Sequence, residues 1–146
     1  MSRRGKRRET HLLIDTGALL ASIDKGDQAH ESTVKTLRRM SKGLLLTTWP
    51  CVTEAMYLLW KTGGHALQDA LWLWLSSGVL QLHDLTTAEQ QRMRALMAQY
   101  ADTPMDLADA SLVVVAESLD LHRVFTLDDD FYIYRLADGS TLEIVR

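Results

Sequence analysis

Short apolar runs alternate with amphipathic stretches along the whole chain, a rhythm that predicts strands and helices in alternation. Leu12, Leu13 and Ile14 form a run with no polar alternation, as a strand buried on both faces does, and the run stops at Asp15-Thr16-Gly17. Residues 17–23 carry Leu19, Leu20 and Ile23 as a short helical turn, and Asp24-Lys25-Gly26-Asp27 is turn chemistry. A helix is predicted over 28–42, with Val34, Leu37 and Met40 on its apolar face and Gly43 as its stop. Residues 44–47 read as a second buried strand, and Thr48-Trp49-Pro50 then opens a helix, since proline suits the first turn. That helix passes Glu54, reaches about residue 61 and breaks at Gly63-Gly64; another covers 65–76. Residues 79–82 are the third strand. Thr86 with Glu89 and Thr87 with Gln90 form two overlapping capping boxes that start a helix reaching about residue 100. Asp102-Thr103-Pro104 separates it from a helix over 106–119. A fourth strand over 123–127 runs into Asp128, residues 131–134 form a turn or short helix, and a last strand covers 141–145 after the Asp138-Gly139 turn.

Strands that alternate with helices throughout predict a mostly parallel sheet with helices on both faces. There is no internal repeat, low-complexity tract or linker, and 146 residues suffice for one domain with a real core. The expected organisation is a single domain over 11–146 behind a flexible basic arm over 1–10. Apolar runs such as 71–75 and 112–116 are far too short to span a bilayer. The basic start has no apolar segment of a secretory signal behind it, and Cys51 is the lone cysteine, which excludes a disulfide framework and a thiolate cluster. A cytoplasmic protein is expected.

Charge divides the chain. Residues 1–8 hold five of the sixteen basic residues and no acid, leaving eleven basic against nineteen acidic residues, a net −8, on the rest. Such an arm helps an acidic body hold a polyanion, or is simply a solvated tail.

The candidate chemistry is acidic. Asp15 ends the first strand, where open α/β sheets bind ligands, although a helix N-cap explains an aspartate there equally well. Glu54 reads as a first-turn glutamate favoured by the helix dipole, but its neighbours Ala55, Met56, Tyr57, Leu58, Leu59 and Trp60 predict a largely buried helix. Asp109 is more diagnostic. It lies in Leu107-Ala-Asp-Ala-Ser-Leu-Val-Val-Val-Ala116, apolar almost all round, and a buried carboxylate costs several kcal/mol (roughly) unless paired or bound to metal. Asp106, one turn earlier, can share its face or act as the N-cap. Asp128 closes a strand as Asp15 does, and of Asp128, Asp129 and Asp130 the strand ending favours the first. Oxygen-only ligands of this kind suit Mg²⁺ or Mn²⁺ rather than zinc. The five histidines (His11, His30, His65, His83, His122) are scattered and read as structural or surface residues.

These residues resemble a known family, the PIN-domain ribonucleases, and within it the VapC-type toxins of bacterial toxin–antitoxin pairs. The likeness covers about 11–135. It rests on Leu13-Ile14-Asp15-Thr16-Gly17-Ala18-Leu19, Thr53-Glu54, Asp106-Leu107-Ala108-Asp109-Ala110-Ser111 and Phe125-Thr126-Leu127-Asp128 with Phe131. The resemblance implies an α/β, PIN-like three-layer α/β/α sandwich with a central mostly parallel sheet. It implies that Asp15, Glu54, Asp109 and Asp128 hold one or two Mg²⁺ or Mn²⁺ ions, with Asp106 and Asp130 as candidates for additional ligands and Thr16 and Thr126 orienting the carboxylates. It implies metal-dependent cleavage of an RNA substrate, a homodimer and a VapB-like antitoxin partner. Alternatives are a PIN-fold nuclease in RNA maturation or on DNA, and a catalytically silent PIN scaffold. A phosphoacceptor receiver or a haloacid-dehalogenase-like phosphatase fits poorly, since the first lacks its acidic pair and lysine and the second meets Gly17 where its second aspartate belongs. Trp72 and Trp74 are expected chiefly in the core, with base stacking or a partner surface as alternatives; Met56, Tyr57 and Trp60 carry the same ambiguity.

Overall fold

The computed structural model describes residues 11–40 and 44–146. The basic arm over 1–10, and the end of the 28–42 helix with its Gly43 stop, lie outside them. In chain order the elements are β1 (Leu12–Ile14), α1 (Thr16–Ile23), α2 (His30–Arg39), β2 (Leu45–Thr47), α3 (Trp49–Ser76), β3 (Leu80–Leu82), α4 (Thr87–Gln99), α5 (Leu107–Leu119), β4 (Arg123–Phe125), a 3-10 turn (Asp129–Tyr132) and β5 (Glu143–Val145). The sheet order is β3-β2-β1-β4-β5, and all four pairings are parallel.

The two faces of β1 explain its unbroken apolar run. Leu13 joins Leu46 and Val124 in a core cluster with Met93, Leu96, Leu112 and Val113 from α4 and α5. Leu12 and Ile14 point the other way, with Leu45 and Phe125, into a cluster with Leu19 of α1 and Val52, Leu59 and Leu71 of α3. Successive strand residues alternate faces, so a strand with helices on both sides must be apolar at every position. Full burial of each such side chain stabilises by about 1.5–3 kcal/mol. Helices cover both sides of the sheet, the three-layer α/β/α architecture.

Several elements differ from expectation. The segment after Asp15 is a full helix, because Asp15 caps it by accepting from the Ala18 N–H at 3.2 Å. Of the two capping boxes only Thr86 with Glu89 forms; Thr87 is already helical, and His83 completes the shell of Glu89 at 2.9 Å. β4 ends at Phe125, so Asp128 lies three residues beyond the strand as the cap of the 3-10 turn. α3 bends at Gly64, whose φ of 66° admits little but glycine, as the Gly63-Gly64 break predicts. The limb before the bend is amphipathic rather than largely buried: Cys51, Ala55 and Leu59 face inward while Glu54, Tyr57 and Trp60 are exposed. Trp72 is likewise not a core residue. It is 50% exposed and meets Trp49 edge-on at 6.5 Å, whereas Trp74 does pack against the core.

Candidate metal centre

The chain runs from β1 to β2 on one side of the sheet and later returns to place β4 on the other side of β1. Loops at the carboxyl ends of β1 and β4 therefore diverge and leave a crevice, the position where such sheets bind ligands. An open cleft of about 440 Å³ lies there, lined by Asp15, Thr16, Glu54, Asp106, Asp109 and Asp128 among others.

Each acid arrives by its own local device. Asp15, Asp106 and Asp128 cap α1, α5 and the 3-10 turn, accepting from the N–H groups of Ala18, Asp109 (2.7 Å) and Asp130 (2.9 Å). The cap reading and the site reading are thus compatible, since a cap uses one lone pair and leaves the others facing the cleft. Asp109 sits in the first turn of α5 and is buried, held there by the apolar residues that follow it. Glu54 is exposed on α3 and reaches back, accepting from the Thr16 hydroxyl at 3.3 Å. Thr126, fully buried, donates to Asp15 Oδ2 and accepts from the Asp128 N–H at 2.9 Å.

Oxygens of Asp109, Asp128 and Asp130 lie within 4.8 Å of one another. Asp129 turns away to pair with Arg146. Asp15 and Glu54 lie outside this trio but line the same cleft as Asp109 and Asp128, as does Asp106, whereas Asp130 is not part of its wall. One participant has no acidic signal in the sequence: the buried Tyr134 donates its hydroxyl to Asp109 Oδ2 at 2.9 Å. Its trace in the sequence is the aromatic run Phe131-Tyr132-Ile133-Tyr134, of which Phe131 and Tyr134 turn out buried.

The electrostatics are those of crowded, partly dry carboxyls. Burial pushes Asp15 up to about 6 against the lowering hydrogen bonds of Thr126 and Ala18, with Asp128 and Glu54 adding like charge. Asp109 is pushed up to about 7, first by burial and then by the charge of Asp106, with Asp128 and Asp15 contributing. An all-oxygen set of clustered, charge-frustrated carboxyls fits a hard divalent cation, whose charge offsets both burial and repulsion. Cys51 is buried with its thiol raised to about 11, a packing residue beside the Ala108 carbonyl rather than a ligand.

A parallel sheet between helical layers, with carboxylates gathered at the ends of β1 and β4, defines the PIN-like α/β/α fold. Comparison with known proteins gives the same result. The chain is 27% identical to the ribonuclease VapC26 of Mycobacterium tuberculosis over 117 residues, 80% of this chain and 86% of the relative. Its fold is that of Mycobacterium tuberculosis VapC20, a sarcin–ricin loop cleaving toxin (TM-score 0.76, 19% identity, 84% of this chain and 93% of the other). It also matches VapBC2 of Rickettsia felis, solved on a fragment of promoter DNA (TM-score 0.68, 16% identity, 93% and 99%). A toxin–antitoxin complex of Klebsiella pneumoniae is similar as well (TM-score 0.57, 17% identity, 82% and 89%). No protein-family model matches the chain. The chain is VapC-like in sequence and in fold, as its motifs indicate.

Proposed function

We propose that this protein is a divalent-metal-dependent endoribonuclease, the toxin of a toxin–antitoxin pair, acting in the cytoplasm. The observation that carries the reading is the convergence of Asp15, Glu54, Asp109 and Asp128 on one cleft, with two of them buried and raised toward neutrality. Sequence likeness to a VapC ribonuclease supplies the reaction class.

Asp15, Glu54, Asp109 and Asp128 would hold Mg²⁺ or Mn²⁺, one or two ions, with Asp106 and Asp130 at the margin. Bound there, a divalent cation supplies a nucleophilic water at neutral pH and neutralises charge on the scissile phosphodiester. The chain's own residues set the stage. Carboxylates alone repel a phosphodiester, so the cleft admits one only when its charge is offset. Thr16 and Thr126 hold Glu54 and Asp15 in fixed orientation. In the net reaction the P–O bond to the leaving sugar oxygen would be exchanged for a P–O bond to the water oxygen, and the proton the water gives up would be matched by the one the leaving oxygen takes from solvent.

The partner would be a VapB-like antitoxin, and a homodimer is the assembly the resemblance implies. Exposed Tyr57 and Trp60, three residues apart on the first limb of α3, form an apolar face suited to protein contact. Among the described residues no helix is long and apolar enough to cross a membrane.

The test is cleavage of total cellular RNA by the purified, antitoxin-free protein with Mg²⁺ or Mn²⁺ and with EDTA. Discrete metal-dependent fragments that vanish in folded Asp15→Asn and Asp109→Asn are expected. Cleavage that survives both substitutions, or folded metal-loaded protein that cuts no RNA, would overturn the reading.

A further inference from the structure

We propose that Tyr134 is a positioning residue for the metal centre, fixing the Asp109 carboxylate so that it presents an oriented oxygen toward Asp128 and Asp130. The inference rests on the metal-centre reading above and goes beyond it.

The phenol is itself held in place. Its ring is buried and packs edge-on against Tyr100 at 5.2 Å and Phe131 at 5.3 Å, three aromatics whose geometry leaves the hydroxyl little freedom. The neighbouring backbone is pinned as well: the Arg135 N–H donates to the Tyr100 hydroxyl at 2.8 Å. The Arg135 guanidinium bonds the carbonyls of Tyr132 and Ile133 at 2.8 and 3.0 Å. Further along the same strap, the Ala137 N–H bonds Glu117 of α5, which Arg92 of α4 grips with two hydrogen bonds. Tyr134 thus arrives at Asp109 on a segment anchored at both ends.

The consequence for Asp109 is geometric. A carboxylate can rotate about its χ2, and the bond from Tyr134 to Oδ2 removes that freedom. Groups that hold a ligating side chain in this way govern metal affinity through preorganisation, and losing one costs about 10–100-fold in affinity.

The experiment is Mn²⁺ binding, measured by electron paramagnetic resonance on the metal-free full chain, for wild type, Tyr134→Phe, Asp109→Asn and the double variant. Thermal melts of each accompany it. Tyr134→Phe keeps the ring and its packing, so a wild-type melt with Mn²⁺ affinity lowered about tenfold is expected, and no further loss in the Asp109→Asn background. Tyr100→Phe, which frees Arg135 without touching Asp109, should lower affinity by a smaller factor and serves if Tyr134→Phe does not fold. Unchanged affinity in folded Tyr134→Phe, with Asp109→Asn impaired, would overturn the positioning role alone. Equal affinity in wild type and Asp109→Asn would overturn the metal centre and the positioning role together.

Discussion

The Thr126 hydroxyl donates to Asp15 Oδ2 and accepts from the Asp128 N–H, so one buried oxygen ties the end of β1 to the loop after β4. The two strands pair through Leu13 with Val124 and Ile14 with Phe125, and Thr126 carries that register one step further, into the cleft.

Thr126→Val keeps the shape and removes both bonds, leaving Asp15 Oδ2 and the Asp128 N–H without their partner. A buried polar group left unpaired costs about 1–3 kcal/mol. RNA cleavage should fall by about tenfold or more, as expected when a carboxylate loses the group that orients it. Rates and melting curves on the same preparation check this; a variant that cleaves like wild type would show that Thr126 only packs.

Metal-free protein should lose stability as pH rises. Burial holds Asp15 up at about 6 and Asp109 up at about 7 in the fold, well above the ordinary aspartate value of 3.8. Between about pH 4 and 7 the folded state therefore holds protons that the unfolded chain has released, so raising the pH through this window favours unfolding, and the effect levels off above it. Each tenfold displacement of such an equilibrium is worth about 1.4 kcal/mol, so the loss is on the order of a few kcal/mol. Melting temperatures in EDTA should be several degrees lower at pH 8 than at pH 5, and Mn²⁺ at pH 8 should restore them. A flat profile in EDTA would contradict the burial of these carboxyls.

Asp109→Asn separates stability from activity. The amide oxygen can still accept from Tyr134, while the buried charge and its repulsion from Asp106, Asp128 and Asp15 disappear. In EDTA at pH 8 the variant should melt at or above wild type, yet lose Mn²⁺-dependent cleavage by at least about a hundredfold, as a ligand loss costs no less than the loss of its supporting partner. Destabilisation at pH 8 would mean that Asp109 is ionised and satisfied without metal.

Much of this arrangement was readable from residue order. Apolar runs of three residues marked β1 and β2, and the buried helix around Asp109 flagged a carboxylate in need of compensation. What could not be read was long-range. Tyr134 lies 25 residues from Asp109 and looks like any aromatic in a short turn, because the contact is made by the path of the chain after β4. Trp72 and Trp60 misled in the opposite sense: apolar side chains in a helix predict a core only if the helix is covered, and α3 is covered along one side alone. Asp128 and Asp130 turn inward and Asp129 outward because the 3-10 turn orients successive side chains differently, which spacing alone does not encode.

The uncovered side of α3 gives the last prediction. Tyr57 and Trp60 are 57% and 58% exposed, three residues apart on one helical face, with Lys61 stacked over the Tyr57 ring at 4.9 Å. A helix of an antitoxin laid against such a face would gain its affinity from aromatic burial. Trp60→Ser should leave the melt of the isolated protein within about 0.5 kcal/mol, since it exchanges an exposed side chain, and should leave metal-dependent cleavage intact. The same change should weaken the complex with the co-expressed antitoxin by about tenfold or more, the loss of more than about 1.4 kcal/mol typical of a buried tryptophan anchor. Titration of the variant with purified antitoxin, followed by restored or suppressed cleavage, measures it. Undiminished inhibition by the antitoxin would place its docking surface elsewhere on the molecule.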